Sequence, residues 1–165
     1  MTLARALVLV GPMGVGKTTV GKKLARVLGL KFIDTDSLVV AGHGAISEIF
    51  DREGEEQFRR YENEALKDAL SEPAVVATGG GAVLLPENQE LLKSATVIYL
   101  ATDGKHIPSR LRGGNRPLVK NGFEDWKRIY AQRKPVYEAV ADYTVDTSGQ
   151  TLAVTLATIR EKLEL

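Results

Sequence analysis

The chain has 165 residues, 44% apolar and 26% charged, with a net charge of +1 at pH 7. That size and mixture describe one globular domain with a core of its own, and so balanced a charge gives no electrostatic case for a nucleic-acid or membrane-surface partner. There is no cysteine, which excludes disulfides, thiolate metal sites and a cysteine nucleophile.

The opening residues, MTLARALVLVGP, contain one arginine and a short apolar run. The run is too short for a signal peptide, lacks a small-residue cleavage site and leads straight into a glycine loop. No stretch approaches the length of a membrane span, so a cytoplasmic protein of a single domain is expected.

In chain order, apolar runs predict strands at 6–10 (ALVLV), 31–34 (KFID), 74–78 (AVVAT), 95–100 (ATVIYL) and 143–146 (YTVD). The three longer runs are continuously apolar, as in strands covered on both faces. Helical spacing falls between them, at Lys17–Leu28, Ile46–Leu70 with a break at Gly54, Pro86–Lys93 and Phe123–Val140, and Thr151–Leu163 closes the chain. Alternating strands and helices imply an α/β fold with a parallel sheet and helices on both sides. Two segments fit this scheme poorly: 37–44, short and glycine-punctuated, and 110–122, RLRGGNRPLVKNG. Loops of the second kind are usually functional.

The first strand runs into Gly11-Pro12-Met13-Gly14-Val15-Gly16-Lys17-Thr18, a G-x-x-x-x-G-K-[ST] loop that opens a helix. Glycines let backbone N–H groups converge on phosphate oxygens, and the helix start adds its unpaired N–H groups and positive dipole end. Lys17 can reach the β- and γ-phosphates of a nucleoside triphosphate, and the Thr18 hydroxyl can ligate Mg²⁺. The chain lacks the N-K-x-D that reads guanine, and its two D-x-x-G matches, at 51–54 and 146–149, are badly placed for a GTPase switch. A small-molecule kinase is the expectation.

FIDTDS ends the second strand with two carboxylates. At the carboxyl end of a parallel strand, Asp34 would sit near the magnesium through water. Asp36 would face an acceptor hydroxyl, as hydrogen-bond partner or base. The plainer alternative is that Asp36 caps a short helix over 37–40, and the two roles are compatible. In EEQFRRYENE, Glu55–Arg59 and Glu56–Arg60 are spaced for ordinary surface ion pairs. TGGGAV stands after the third strand, where three glycines would let backbone amides approach a ligand. Arg112 and Arg116 sit in a loop that could close over ATP and bring a guanidinium to the transferring phosphoryl group. Arg133 precedes Pro135 inside a predicted helix, which requires a kink or a new start there. His43 and His106 lack metal-ligand spacing, and Trp126 reads as core.

Taken in order, the glycine loop, DTD, FRRYE, GGGAV, RPL and RKPVY resemble the shikimate kinase family over nearly the whole chain. The resemblance implies a P-loop, nucleoside-monophosphate-kinase-like fold whose five strands run in the order 2-3-1-4-5. It implies a substrate-binding segment at about 34–62, a lid at about 111–123, and a monomer. The implied activity is transfer of phosphate from MgATP to the 3-hydroxyl of shikimate, on the route to aromatic amino acids. By position, Gly14, Val15, Gly16, Lys17, Thr18 and Thr19 would cradle the ATP phosphates, Arg116 would touch the transferring phosphate, and Arg112 and Gln150 would lie by the adenine. Asp36 would partner the hydroxyl, Arg59 rather than Arg60 and Arg133 would clamp the carboxylate, and Gly80 and Gly81 would offer backbone contacts. Small anionic polyols suit such a set, because a carboxylate favours planar arginine forks. The expected catalytic residues are therefore Lys17, Asp36 and Arg116. Another small-acceptor kinase, for gluconate or a nucleoside monophosphate, is the alternative; a nucleobase acceptor would want stacking rings, and only Phe58 and Tyr61 are near.

Overall fold

The five apolar runs form five strands in a computed structural model that describes residues 4–111 and 121–165. They are β1 (Leu7–Val10), β2 (Phe32–Asp34), β3 (Val75–Ala77), β4 (Thr96–Ala101) and β5 (Tyr143–Asp146). All neighbours are parallel and the order is β2-β3-β1-β4-β5, as the family resemblance implies. This placement explains the uneven strand signal. Central β1 and β3 are wholly buried, whereas edge strands β2 and β5 are partly open, so KFID and YTVD carry polar residues that a central strand could not.

Seven helices cover the sheet among the described residues: α1 (Lys17–Leu28), α2 (Thr35–His43), α3 (Ile46–Ala69), α4 (Pro86–Leu92), α5 (Ile107–Arg110), α6 (Phe123–Val140) and α7 (Leu152–Lys162). Side chains alternate along each strand, which divides the core in two. Val8, Val76, Val97 and Tyr99 pack with Leu66, Leu92 and Tyr137 on one face. Leu7, Leu9, Ile98 and Leu100 pack with Leu24, Leu156 and Ile159 on the other. None of the helices is long and apolar enough to cross a membrane.

Three local readings change. Of residues 37–44, which fitted the alternation poorly, 37–43 belong to α2 and Gly44 closes it. That helix is capped by Asp34 and not by Asp36: Asp34 Oδ1 accepts from the N–H groups of Asp36 and Ser37 at 2.9 and 3.3 Å. The helix starts sooner than its weak periodicity suggests, so the cap moves back with it. Of the two outcomes expected at Pro135, a kink or a new start, the new start is not found, since α6 runs through it from Phe123 to Val140. The break at Gly54 is present, at φ 86° and ψ 167°.

Candidate active site

β1 lies between β3 and β4; the chain leaves it for β2 on one side and later crosses from β3 to β4 on the other, so a crevice opens beyond the carboxyl end of β1. The glycine loop lies there. Gly14 and Gly16 have φ of 78° and 104°, left-handed values that a side chain would oppose. Gly16 caps α1 without any side-chain hydrogen bond, so the first N–H groups of the helix face the crevice as an anion site would require. Lys17 Nζ donates to the carbonyls of Gly11 and Pro12 at 2.6 and 3.0 Å, which folds the ammonium over the loop.

Thr18 Oγ1 donates to Asp34 Oδ2 at 3.0 Å. The cap of α2 is thereby also the partner of the hydroxyl expected to hold magnesium, and oxygens of this kind suit a hard cation. Among the described residues there is no group of three or more His, Asp or Glu that could hold a metal alone. A cavity of about 510 Å³ extends from this loop past Asp34, Asp36 and Gly79 to Thr147 and Gln150. Gln150 thus faces the same space as the phosphate loop.

The glycine triplet after β3 is a matter of space and not of backbone angle, because none of Gly79, Gly80 and Gly81 has a positive φ. A Cβ on Gly79 would lie 2.7 Å from Asp36 Oδ1 and 2.9 Å from Glu62 Oε2. One on Gly80 would lie 3.2 Å from Arg133 Nη1, and one on Gly81 only 2.3 Å from Arg59 Nη2. Each absent side chain is replaced by a charged group from another element: Asp36 from α2, Arg59 and Glu62 from α3, Arg133 from α6. Four residues from three helices therefore meet over three α-carbons.

Arg59 and Arg60 part company here. Arg60 pairs with Glu56 at 3.2 Å in open solvent, as the helical spacing suggests. Arg59 pairs with Glu55 at 3.1 Å and also reaches Glu62 at 3.0 Å, with its side chain only 11% exposed. Arg133 is buried as well. Two inward guanidinium groups side by side need compensation, and the buried Glu62 supplies it.

Sequence reasoning missed Glu62, although a signal exists. With Phe58, Ala65, Leu66 and Ala69 it occupies the buried stripe of α3, a position where helical spacing expects an apolar residue. Its Oε2 has no hydrogen-bond partner among the described residues. Burial pushes its carboxyl up to about 7 from an ordinary 4.5, helped by Asp36 and opposed by Arg59 and Arg133. A carboxyl that holds its proton more tightly folded than unfolded stabilises fully below about pH 4.5, and that contribution is lost as pH rises through about 7. Replacing Glu62 with Gln should remove this dependence. The stability difference between wild type and Glu62→Gln, from urea unfolding at several pH values, should change by up to about 1.4 kcal/mol per pH unit across that interval. A constant difference would refute the buried-acid account.

Arg110 was also missed. Its Nη1 donates to the Gly14 carbonyl at 2.8 Å and it lines the cavity; nothing in RLRGG distinguishes it from its neighbours. Trp126 is core as expected, but its Nε1 also donates to the Met13 carbonyl at 2.7 Å, fastening the phosphate loop to α6. His43 is exposed and stacks on Tyr61 with ring centroids 3.5 Å apart. Arg112, Arg116 and most of the expected lid lie outside the described residues.

The profile of the shikimate kinase family matches residues 13–164. The chain belongs to that family. It is 42% identical to the shikimate kinase of Vibrio parahaemolyticus over 170 aligned residues, with 99% of each chain covered. Among solved structures, the shikimate kinase from Acinetobacter baumannii in complex with shikimate superimposes with a TM-score of 0.87 at 39% identity, over 98% of this chain and 94% of that one. The shikimate kinase from Aquifex aeolicus gives 0.81 at 31% identity, over 96% of each chain. As a shikimate kinase family member the protein is an enzyme, and its activity is ATP-dependent phosphorylation of the shikimate 3-hydroxyl. Family membership also implies use of ATP and Mg²⁺. In this shikimate kinase fold the phosphate loop and the charged cluster over the glycine triplet are neighbours, sharing Gly79 and Asp36 as cavity wall.

Proposed function

We propose that the cluster over Gly79–Gly81 is the shikimate site, and that it presents the 3-hydroxyl in line with the γ-phosphate of ATP lying along the phosphate loop. One observation carries the reading: Asp36, Arg59 and Arg133 converge on three consecutive glycines next to that loop. The two guanidinium groups fork onto the carboxylate. The backbone of Gly80 and Gly81 meets the ring hydroxyls, and Asp36 orients the 3-hydroxyl and takes its proton. As the oxygen–phosphorus bond forms, the bond from the γ-phosphorus to ADP breaks, and Lys17 and Arg116 stabilise the charge on the equatorial oxygens. Arg59 and Arg133 contribute by holding the acceptor in place.

Thr18 and, through water, Asp34 would hold Mg²⁺, which neutralises phosphate charge when bound. The N–H groups of 14–19 would hold the phosphates, and Arg112 and Gln150 would flank the adenine. On this reading residues 1–165 are one domain with an acceptor segment at about 34–62 and a lid at about 111–123, working as a cytoplasmic monomer; elution at about twice the monomer mass would overturn the last point.

The two rings that could have stacked on a nucleobase acceptor are engaged otherwise. Phe58 is buried against Phe50, and Tyr61 lies under His43. ADP release measured in parallel with shikimate, gluconate, AMP and CMP should favour shikimate by at least about a hundredfold. Comparable rates with any of the others would refute the acceptor site as drawn.

A further inference from the structure

The motif RKPVY contains a residue that the mechanism above leaves unused. Tyr137 is fully buried, one helical turn beyond Arg133, and its hydroxyl donates to the carbonyl of Gly80. The carbonyls on either side are held differently: Gly79 by the N–H of Ala82 and Gly81 by the N–H of Leu84, each at 3.1 Å. Gly80 is therefore the member of the triplet whose carbonyl direction is set from outside, by a side chain.

That direction has a consequence one atom further on. In a trans peptide, the C=O of one residue and the N–H of the next point to opposite sides. Drawing the Gly80 carbonyl toward α6 turns the Gly81 N–H away from α6. A peptide between two glycines has little else to fix it, since either residue tolerates both orientations.

We propose that Tyr137 is a positioning residue for the acceptor: by holding the Gly80 carbonyl it aims the Gly81 N–H at the bound substrate. The inference rests on the acceptor site proposed above. The surroundings suit such a role. The Tyr137 ring stacks on Tyr99 with centroids 5.3 Å apart and leans on Tyr130 at 6.3 Å. The Tyr130 and Tyr99 hydroxyls bond one another, and Trp126 on the same face of α6 holds the Met13 carbonyl. The phenol cannot swing. Burial pushes its pKa up to about 12, so it remains a donor throughout the working pH range.

Tyr137→Phe retains the ring and removes only the donor. Its KM for shikimate should rise about tenfold, the loss expected when one oriented hydrogen bond to the acceptor is no longer held, while its KM for ATP stays within twofold. An unchanged shikimate KM, or an equal rise in both constants, overturns the proposal, since general loosening of the core would not discriminate between substrates. A second measurement needs no variant: in the ¹⁵N–¹H spectrum of the wild-type protein, the Gly81 amide should move on saturation with shikimate, and an unmoved peak also overturns it. Failure of the acceptor site itself would look different, because Arg133→Ala would then leave shikimate KM unaltered as well.

Discussion

Replacing Lys17 with methionine should lower kcat by about 100- to 1,000-fold, the range seen when one preorganised donor to transition-state charge is removed. The KM for shikimate should stay close to wild type. The ammonium rests on the Gly11 and Pro12 carbonyls, at 2.6 and 3.0 Å, within the loop that receives the phosphates. On the proposed reading it exchanges these carbonyl partners for phosphate oxygens when ATP binds, with little reorganisation. Methionine keeps the apolar stem, so the fold should survive with a shift in Tm of a few degrees at most, roughly 1 kcal/mol. Turnover within tenfold of wild type would remove Lys17 from the transition state.

Replacing Arg133 with alanine should raise the KM for shikimate by about 10- to 100-fold, the cost of losing a charged, forked hydrogen-bond donor in a buried place. The KM for ATP should hardly move. Arg133 is 6% exposed, and its Nη1 occupies the space a Gly80 side chain would need. Removing it also strips Glu62 of one of the two cations that oppose its raised pKa, so the variant should bind shikimate more weakly still as pH rises and a less compensated carboxylate forms. Arg133→Lys restores the charge without the fork and should fall between the two. A shikimate KM within twofold of wild type for Arg133→Ala would dissolve the clamp.

Much of this was legible in residue order. The junction from Leu7 to Lys23 announced a buried strand, a phosphate loop and a helix, and the structure has all three. Apolar runs located every strand, because central strands of a parallel sheet must be greasy on both faces. Their lateral order was another matter. Periodicity says nothing about which strand lies beside which, and 2-3-1-4-5 came from the family resemblance alone. The cap of α2, offered as an alternative role for Asp36, falls on Asp34, since the two are equally good caps in isolation and only the helix start decides between them. Glu62 left a trace, an acid on the apolar stripe of α3, but no hint of its role, and Tyr137 left neither: both roles arise from α3 and α6 meeting over a loop that follows β3. For Arg59 the surface ion-pair reading was correct but incomplete, as it does pair with Glu55 while also pairing with the buried Glu62.

The bare stretch at 79–81 limits how this enzyme could be retuned. Enlarging Gly79 or Gly81 would dislodge a charged arm before adding a contact of its own, since the space beside each is already taken within 3.0 Å, and at Gly80 Arg133 would have to give way from 3.2 Å. On the proposed reading, preference among polyol acids therefore resides in arms anchored on separate helices, at 36, 59 and 133. Redesign toward a longer or shorter acid would proceed by exchanging those arms one at a time, with the backbone beneath left as it is.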